Sequence, residues 1–236
     1  MFDLKSKLSG VKTRAKDFLV TTALDQRGVA AIEFAFIAPV MLIFYFGMVE
    51  ISLAVEADRN LSHAASLVGD LTAQDEVVTI DMIENYIYGA MAVLDIDADE
   101  AEKIGLELYA FEVTTPDDPN TATDERVIAE TGYAKYGKVI AGGTKFDPST
   151  IKDEILTDTS GVVVARMTYD YTAKITSSFV KAGNKTFEET FILKPRRSAA
   201  VRFDNENGNA NETQRYNINC TFTTKDDANT ANCSPA

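Results

Sequence analysis

The sequence predicts an α+β fold: a long N-terminal helix that crosses a membrane and continues as a stalk, followed by a small antiparallel sheet domain. Three observations carry that expectation. Between Glu33 and Glu50 lie sixteen residues, Phe34 to Val49, without a single charge. Beyond them the apolar residues keep a helical period as far as Leu71, and from Lys103 the period falls to two. The bulk composition conceals this unevenness, because 45% hydrophobic and 25% charged over 236 residues describes an ordinary globular chain of one or two domains. Disorder, a collagen-like chain and a disulfide-built mini-protein are poor descriptions of it.

Extended back through the small residues before Glu33, the run Val29–Val49 is 21 residues long, close to the ~20 that a helix needs to cross a bilayer. A secretory signal peptide would have a shorter apolar core, a basic region nearer its start and a small-residue cleavage site after the core. Here Glu50-Ile-Ser-Leu-Ala-Val-Glu56 instead continues at helical spacing. Charge then sets the orientation. Residues 1–28 hold six basic side chains (Lys5, Lys7, Lys12, Arg14, Lys16, Arg27) against three acids. With the whole chain at −13, the remainder carries 17 basic and 33 acidic residues, a net of −16. The basic side stays in the cytoplasm and the acidic side is translocated. So acidic a domain repels phosphate backbones, which argues against nucleic-acid binding.

Two residues inside the run cost energy. Pro39 removes a backbone hydrogen bond and is expected to kink the helix near Phe36, a defect that membrane helices tolerate. Glu33 costs on the order of 3 kcal/mol if it is inserted ionised. It is therefore either a functional acid within the membrane or a side chain that snorkels to the headgroups.

The octapeptide Arg27-Gly28-Val29-Ala30-Ala31-Ile32-Glu33-Phe34 resembles the processing site of type IV prepilin-like proteins, in which a basic leader and a glycine precede an apolar helix with Glu at its fifth position. Ala31 to Pro39, then Gly47-Met-Val-Glu50, then Leu61-Ser-His-Ala-Ala65 together resemble the TadE-like family. Arg166-Met-Thr-Tyr-Asp-Tyr171 and Lys194-Pro-Arg-Arg197 are more weakly similar to the end of such domains. The family's simpler members are shorter than this chain. The resemblance implies a pseudopilin, or minor pilin, of the tight-adherence (Flp) pilus: a single-pass inner-membrane protein, pilin-like in outline, with its C-terminal domain in the periplasm. It implies cleavage by a prepilin peptidase between Gly28 and Val29, and a role in assembly and register for Glu33 and Phe34. Pro39, Gly47 and Glu50 complete the helix signature. The implied partners are other pilins or pseudopilins and the pilus assembly platform. A physical reason supports the pattern, since cleavage would create an α-amine on Val29 one helical turn from Glu33. In an apolar medium that amine and carboxylate need partners, and neighbouring subunits would supply them.

Past the membrane, Ala54, Leu61, Ala65, Val68 and Leu71 share a face, so a continuous helix from Val29 to Leu71 would be roughly 65 Å long. A second helix is expected over Thr79–Leu94, with Thr79 as N-cap and Met82 or Ile83, Tyr86, Ala90 and Val93 on one face. Asp95–Glu102 reads as an acidic connector. Ile104, Leu106, Leu108 and Ala110 alternate with Gly105, Glu107, Tyr109 and Phe111 as a strand that ends at Thr115-Pro-Asp-Asp-Pro-Asn120, and a weaker strand covers Arg126–Tyr136. Val163 to Ile175 alternates most clearly and reads as a strand with one face buried. A turn at Gly183-Asn184-Lys185 would lead into a paired strand, Thr186–Leu193, with a bend or a sheet edge near Pro195.

From Asp204 the chain is rich in Asn, Thr and Asp and is expected to be irregular, held by a disulfide between Cys220 and Cys233. Those two cysteines suit a short-loop disulfide in an oxidising compartment better than a metal site, since the only histidine is His63. The resulting division is a cytoplasmic basic leader (1–28), a transmembrane and stalk helix (29–71), a translocated α+β domain (72–203) and an Asn-rich tail (204–236).

No motif for chemistry stands out. Adjacent acids are expected in a chain with 36 of them. Asp158-Thr-Ser-Gly161 lacks the tight Asp-Thr-Gly turn of aspartic proteases and the start of a metal-dependent adhesion site. No phosphate or dinucleotide loop occurs, and His63 falls on the stalk. The expected protein is non-enzymatic, with no cofactor and no metal. The rival reading is an uncleaved, membrane-anchored periplasmic binding module, and a membrane-tethered hydrolase is third.

Overall fold

The computed structural model describes residues 27–114, 127–137, 145–152, 154–156, 160–175, 184–204, 216–225 and 228–235. The chain divides into two compact units, one ending at Ile51 and the other beginning at Ser52. One unbroken helix, α1 (Arg27–Gln74), contributes to both and passes through Pro39 and Gly69 without interruption. In the first unit its side chains are open to the surroundings: Phe34 is 71% exposed, Ile43 72% and Phe44 73%. Such values on large apolar groups mean that this protein supplies no interior for them.

In the second unit the same helix has a buried face. Leu61, Ala64, Ala65, Val68, Thr72 and Ala73 recur at helical spacing and are fully covered. Small residues on that face bring the helix close to the sheet. A Cβ added at Gly69 would lie 2.6 Å from Leu193 Cδ1 and 3.2 Å from Ala165 Cβ. The end of α1 is held by the chain after the sheet's fifth strand: the Arg196 amide donates to Ala73 O at 2.8 Å and its guanidinium pairs with Asp70. A cation at a helix C-terminus, with a donor for one of its last carbonyls, meets the two needs of that end. Next come β1 (Val77–Val78) and α2 (Ile80–Leu94). As expected, the Thr79 hydroxyl caps α2 by accepting from the Met82 amide, and Asp95 closes it in a left-handed conformation, φ 52°. The buried face of α2 runs through Ile83 rather than Met82 and reaches Leu94, with Val93 only half-buried. The acidic connector forms a short 3₁₀ helix, Ala98–Lys103.

The sheet comprises β2 (Ile104–Thr114), β3 (Val127–Gly137), β4 (Gly161–Thr172), β5 (Asn184–Leu193), β7 (Tyr216–Lys225) and β8 (Ala228–Pro235), in the order β5-β4-β2-β3-β7-β8. Every neighbouring pair is antiparallel except β3 and β7. The short β6 (Arg202–Phe203) pairs with β1 in parallel. The layout is the expected α+β one, a long helix followed by a small sheet.

Three sequence expectations need correction. β4 was expected to bury one face, yet Val162, Val164 and Thr168 on its other face are also covered. Together with Tyr109, Phe111 and Tyr133 those valines form a second apolar cluster, closed by Ile151 and Leu156 from the chain between β3 and β4. A sheet covered on both sides loses the alternation of a half-exposed one. Next, Asn184 and Lys185 lie in β5 rather than in a turn, because pairing continues through Tyr171↔Lys185 and Thr172↔Asn184; Gly183 is outside the described residues. Finally, the described part of the tail is not irregular: β7 and β8 pair as antiparallel strands that extend the sheet beyond β3, with Ile218 and Cys220 buried. Thr favours a pleated surface, so a polar composition does not preclude strands.

Two outcomes follow. Gly161 is pressed against backbone, since an added Cβ would meet Ala199 O at 2.6 Å and Ala200 Cα at 2.7 Å. Gly161→Ala should therefore cost about 1–3 kcal/mol in urea unfolding of the full chain in detergent, whereas Gly69→Ala, which meets the end of a flexible leucine at 2.6 Å and the Ala165 Cβ at 3.2 Å but gains helix propensity, should cost less, about 1 kcal/mol. Burial of the Tyr133 and Tyr136 hydroxyls pushes both up to about 12. A raised folded-state value stabilises the neutral phenol, so this contribution is intact below the ordinary value of about 10 and is lost as pH rises through 12. Thermal unfolding followed between pH 8 and pH 12 should show a falling midpoint only in the upper half of that range.

Candidate functional site

The sequence points to one helix. Gly28, Val29, Glu33, Phe34, Pro39, Gly47 and Glu50 all lie on α1, so their mutual geometry follows from about 100° of rotation per residue. Val29 and Glu33 stand one turn apart on one side. Glu33, Ile37, Val40, Phe44 and Gly47 continue that side in steps of four and three, forming a stripe with an acid at one end and a glycine near the other. Pro39 and Glu50 are eleven residues apart and share a second line, roughly 100–120° around the helix from the first. The signature residues thus mark two faces and not one.

Exposure separates them further. Glu33 and Phe34 are exposed, whereas Glu50 is 8% exposed and makes polar contact. Among the described residues Glu33 has no hydrogen-bond or ion-pair partner. Ile37, Val40 and Phe44, which follow it on the stripe, are all more than half exposed. A carboxylate at the start of an uncovered apolar stripe is suited to a partner outside this chain. Gly28 and Gly47 point the same way. A Cβ added at either would meet no atom within 4 Å, so nothing in the chain's own packing requires a glycine there. A small residue on a lipid-facing helix admits close approach by another helix. The helix is long and apolar enough to cross a membrane by length and composition.

The remaining residues singled out in the sequence have other places. Cys220 and Cys233 are joined in a disulfide between directly opposed positions of β7 and β8. His63 is exposed on α1. Asp158 lies outside the described residues, and Gly161 opens β4. Arg166 sits between two carboxylates, its guanidinium 2.8 Å from Glu188 and 3.7 Å from Glu107. Glu107 is almost fully buried and also accepts from the Tyr109 hydroxyl at 3.1 Å. The sequence does not predict this buried charge network, because Glu107 is one of two acids on β2, with Glu112, and nothing in the strand distinguishes it. Arg196 holds the end of α1 as described above. The two weaker family-like segments, around Arg166 and around Arg196, therefore serve the domain's architecture.

Among the described residues the acid–base groups show no catalytic pairing. Asp147 lies below the usual carboxylate range because the Ser149 hydroxyl and amide donate to it, the amide at 2.9 Å, as it caps a 3₁₀ turn. The other displaced groups are tyrosines raised by burial, among them Tyr86, Tyr109 and Tyr169. Among the described residues no three His, Cys, Asp or Glu side chains converge as a metal site.

No curated protein and no solved structure matches the chain. A protein-family model does: residues 28–68, from the glycine that precedes the apolar run to a valine in the domain core, match the model described as TadE-like protein.

Proposed function

We propose that this chain is a TadE-like pseudopilin, a non-enzymatic minor pilin that helps to assemble or initiate a tight-adherence pilus through its membrane helix. The observation that carries the reading is a coincidence of position. The matched segment, residues 28–68, contains an exposed apolar surface, together with an acid at its start that has no partner among the described residues. The basic leader would stay in the cytoplasm and the domain from Ser52 would enter the periplasm, where the Cys220–Cys233 disulfide persists. A prepilin peptidase would cut between Gly28 and Val29. The freed amine and Glu33 would then find partners on neighbouring pilins, while Phe34 and the Gly47 stripe pack against their helices. The assembly platform is the remaining partner.

Glu33 gives this reading its energetic logic. Inserting the carboxylate costs on the order of 3 kcal/mol, and an interhelical polar contact returns about 1–2 kcal/mol in membranes. The acid is thus a poor stabiliser of a lone helix and a useful discriminator of the register in which helices meet. The rival, an uncleaved anchored binding module, draws on the extent of the match: 41 of 236 residues lie within it, and the sheet domain lies outside it.

Intact mass and N-terminal sequence of the protein from its native membrane separate the two. A chain beginning at Val29 supports the pseudopilin. A chain still carrying residues 1–28, in cells whose prepilin peptidase demonstrably cleaves another substrate, supports the anchored module. Glu33→Ala should leave membrane levels unchanged or raised and reduce co-purification of pilin partners roughly tenfold, the equivalent of about 1.4 kcal/mol. Undiminished co-purification would remove Glu33 from the assembly role.

A further inference from the structure

β7 and β8 reach beyond the rest of the sheet. β7 pairs with β3 only from Tyr216 to Cys220, opposite Gly132 to Tyr136. Its remaining residues, Thr221 to Lys225, pair with β8 alone among the described residues. The result is a two-stranded ribbon, Thr221–Lys225 against Ala228–Asn232, with the Cys220–Cys233 disulfide at its root. At about 3.3 Å per residue it extends roughly 16 Å past the paired part of β7. A lone hairpin is marginal in water, so the covalent link sits where the ribbon most needs it.

Register fixes which way the backbone groups point. The cysteines are directly opposed with Cα atoms 4.0 Å apart, the close spacing of an antiparallel pair that exchanges no backbone hydrogen bonds. The Cys233 amide accordingly points away from β7, and it donates to Glu84 Oε1 on α2 at 2.8 Å. Counting in twos along β8, the outward amides are those of Asn229, Ala231 and Cys233, while Pro235 has none. Glu84 and Pro235 close the inner half of this edge. The outer half, at Asn229 and Ala231, has no strand beside it among the described residues.

Charge indicates what would cover it. Neither Tyr216–Thr224 nor Ala228–Pro235 contains an acid or a base, whereas β5, at the opposite edge, carries Lys185, Glu188 and Glu189. Charges on β5 are the ordinary protection of an edge against strand addition, and β8 lacks them. With a net charge of −13, a second copy meets like charge over most approaches. Along the edge strand itself, Ala228–Asn232 against Ala228–Asn232, it meets none, the nearest charges in sequence being Lys225, Asp226 and Asp227. We propose that the outer half of β8 is a self-association edge, at which Asn229 and Ala231 of one copy pair antiparallel with Ala231 and Asn229 of a second, about a two-fold axis at Thr230. So short an edge binds weakly in free solution, and confinement of both copies to one membrane raises their effective concentration. The inference does not rest on the pilus reading, because β7 and β8 alone define the edge.

Hydrogen exchange on the full chain in lipid vesicles, at low and high protein-to-lipid ratio, tests it. At the high ratio the Asn229 and Ala231 amides should exchange at least about fivefold more slowly than at the low ratio. Ala231→Pro removes an outward donor while sparing the ladder to β7, and should abolish that ratio-dependent slowing at Asn229 with the disulfide and the Thr230 and Asn232 protection retained. Should that variant lose the hairpin, Thr230→Lys keeps every amide and sets two like charges opposite each other across the axis, with the same expected loss. Fast exchange at Asn229 and Ala231 at both ratios, slow exchange at both, or ratio-dependent slowing that survives these variants would each overturn the proposal.

Discussion

An apolar helix surface that its own protein leaves bare must be covered by lipid or by another helix, and the sequence of α1 is arranged around that requirement. From Val29 to Ile51 large side chains such as Phe34, Phe36, Ile43 and Phe44 project with more than two-thirds of their surface open. In water each would cost about 1.5–3 kcal/mol relative to burial. In a bilayer they cost nothing, and the uncompensated groups are then the polar ones. Glu33 dominates in such a medium because it is the acid within this stretch that has no partner among the described residues.

Beyond Ser52 the same helix obeys a different rule. Its covered positions there are mostly small: Ala64, Ala65, Gly69 and Ala73, with Leu61 and Val68 between them. Small residues let the helix axis approach β4 and β5 closely, and close approach is what gives a single helix a firm seat on a sheet. The return of the chain at Arg196, bonded to Ala73 O and paired with Asp70, then holds the end of α1. A side chain that looks like one more surface cation in the sequence is thereby part of the joint between helix and sheet.

Much of this was legible in the residues, for identifiable reasons. α1 and α2 declare themselves through apolar periodicity and, for α2, a threonine at the cap. β2 and β4 declare themselves through alternation. Legibility fails where burial departs from one face in, one face out. Glu107 sits in the interior because Arg166 and Tyr109 meet it there, and no pattern in one strand reveals a partner on the next. β7 and β8 escape notice because their composition is polar and mobile-looking; the usable signals were the alternation of Ile218, Cys220 and Phe222 and the placement of two cysteines at hairpin distance. At the helix site the sequence supplies the residue types and their spacing, and helical geometry adds that Glu33 with Gly47, and Pro39 with Glu50, belong to separate faces.

Charge connects the helix to the domain. Everything after Gly28 carries a net of −16, and across ordinary physiological salt such charge is felt over about 8 Å. Domains of this kind keep apart unless a contact is strong or is itself uncharged. Two stretches of the chain meet the second condition: the apolar turns of α1 between Glu33 and Glu50, and the edge strand β8. On the proposed reading the first would be covered in the plane of a membrane, while the second is tied to the domain by a disulfide, so they would bring copies together through different physics. Helix packing depends on shape and on relief of a buried acid, and strand pairing depends on backbone groups that any sequence could offer. On the proposed reading specificity resides in the helix, where Glu33 would penalise a wrong register, and the ribbon would add only cohesion to a neighbour the helix has already selected.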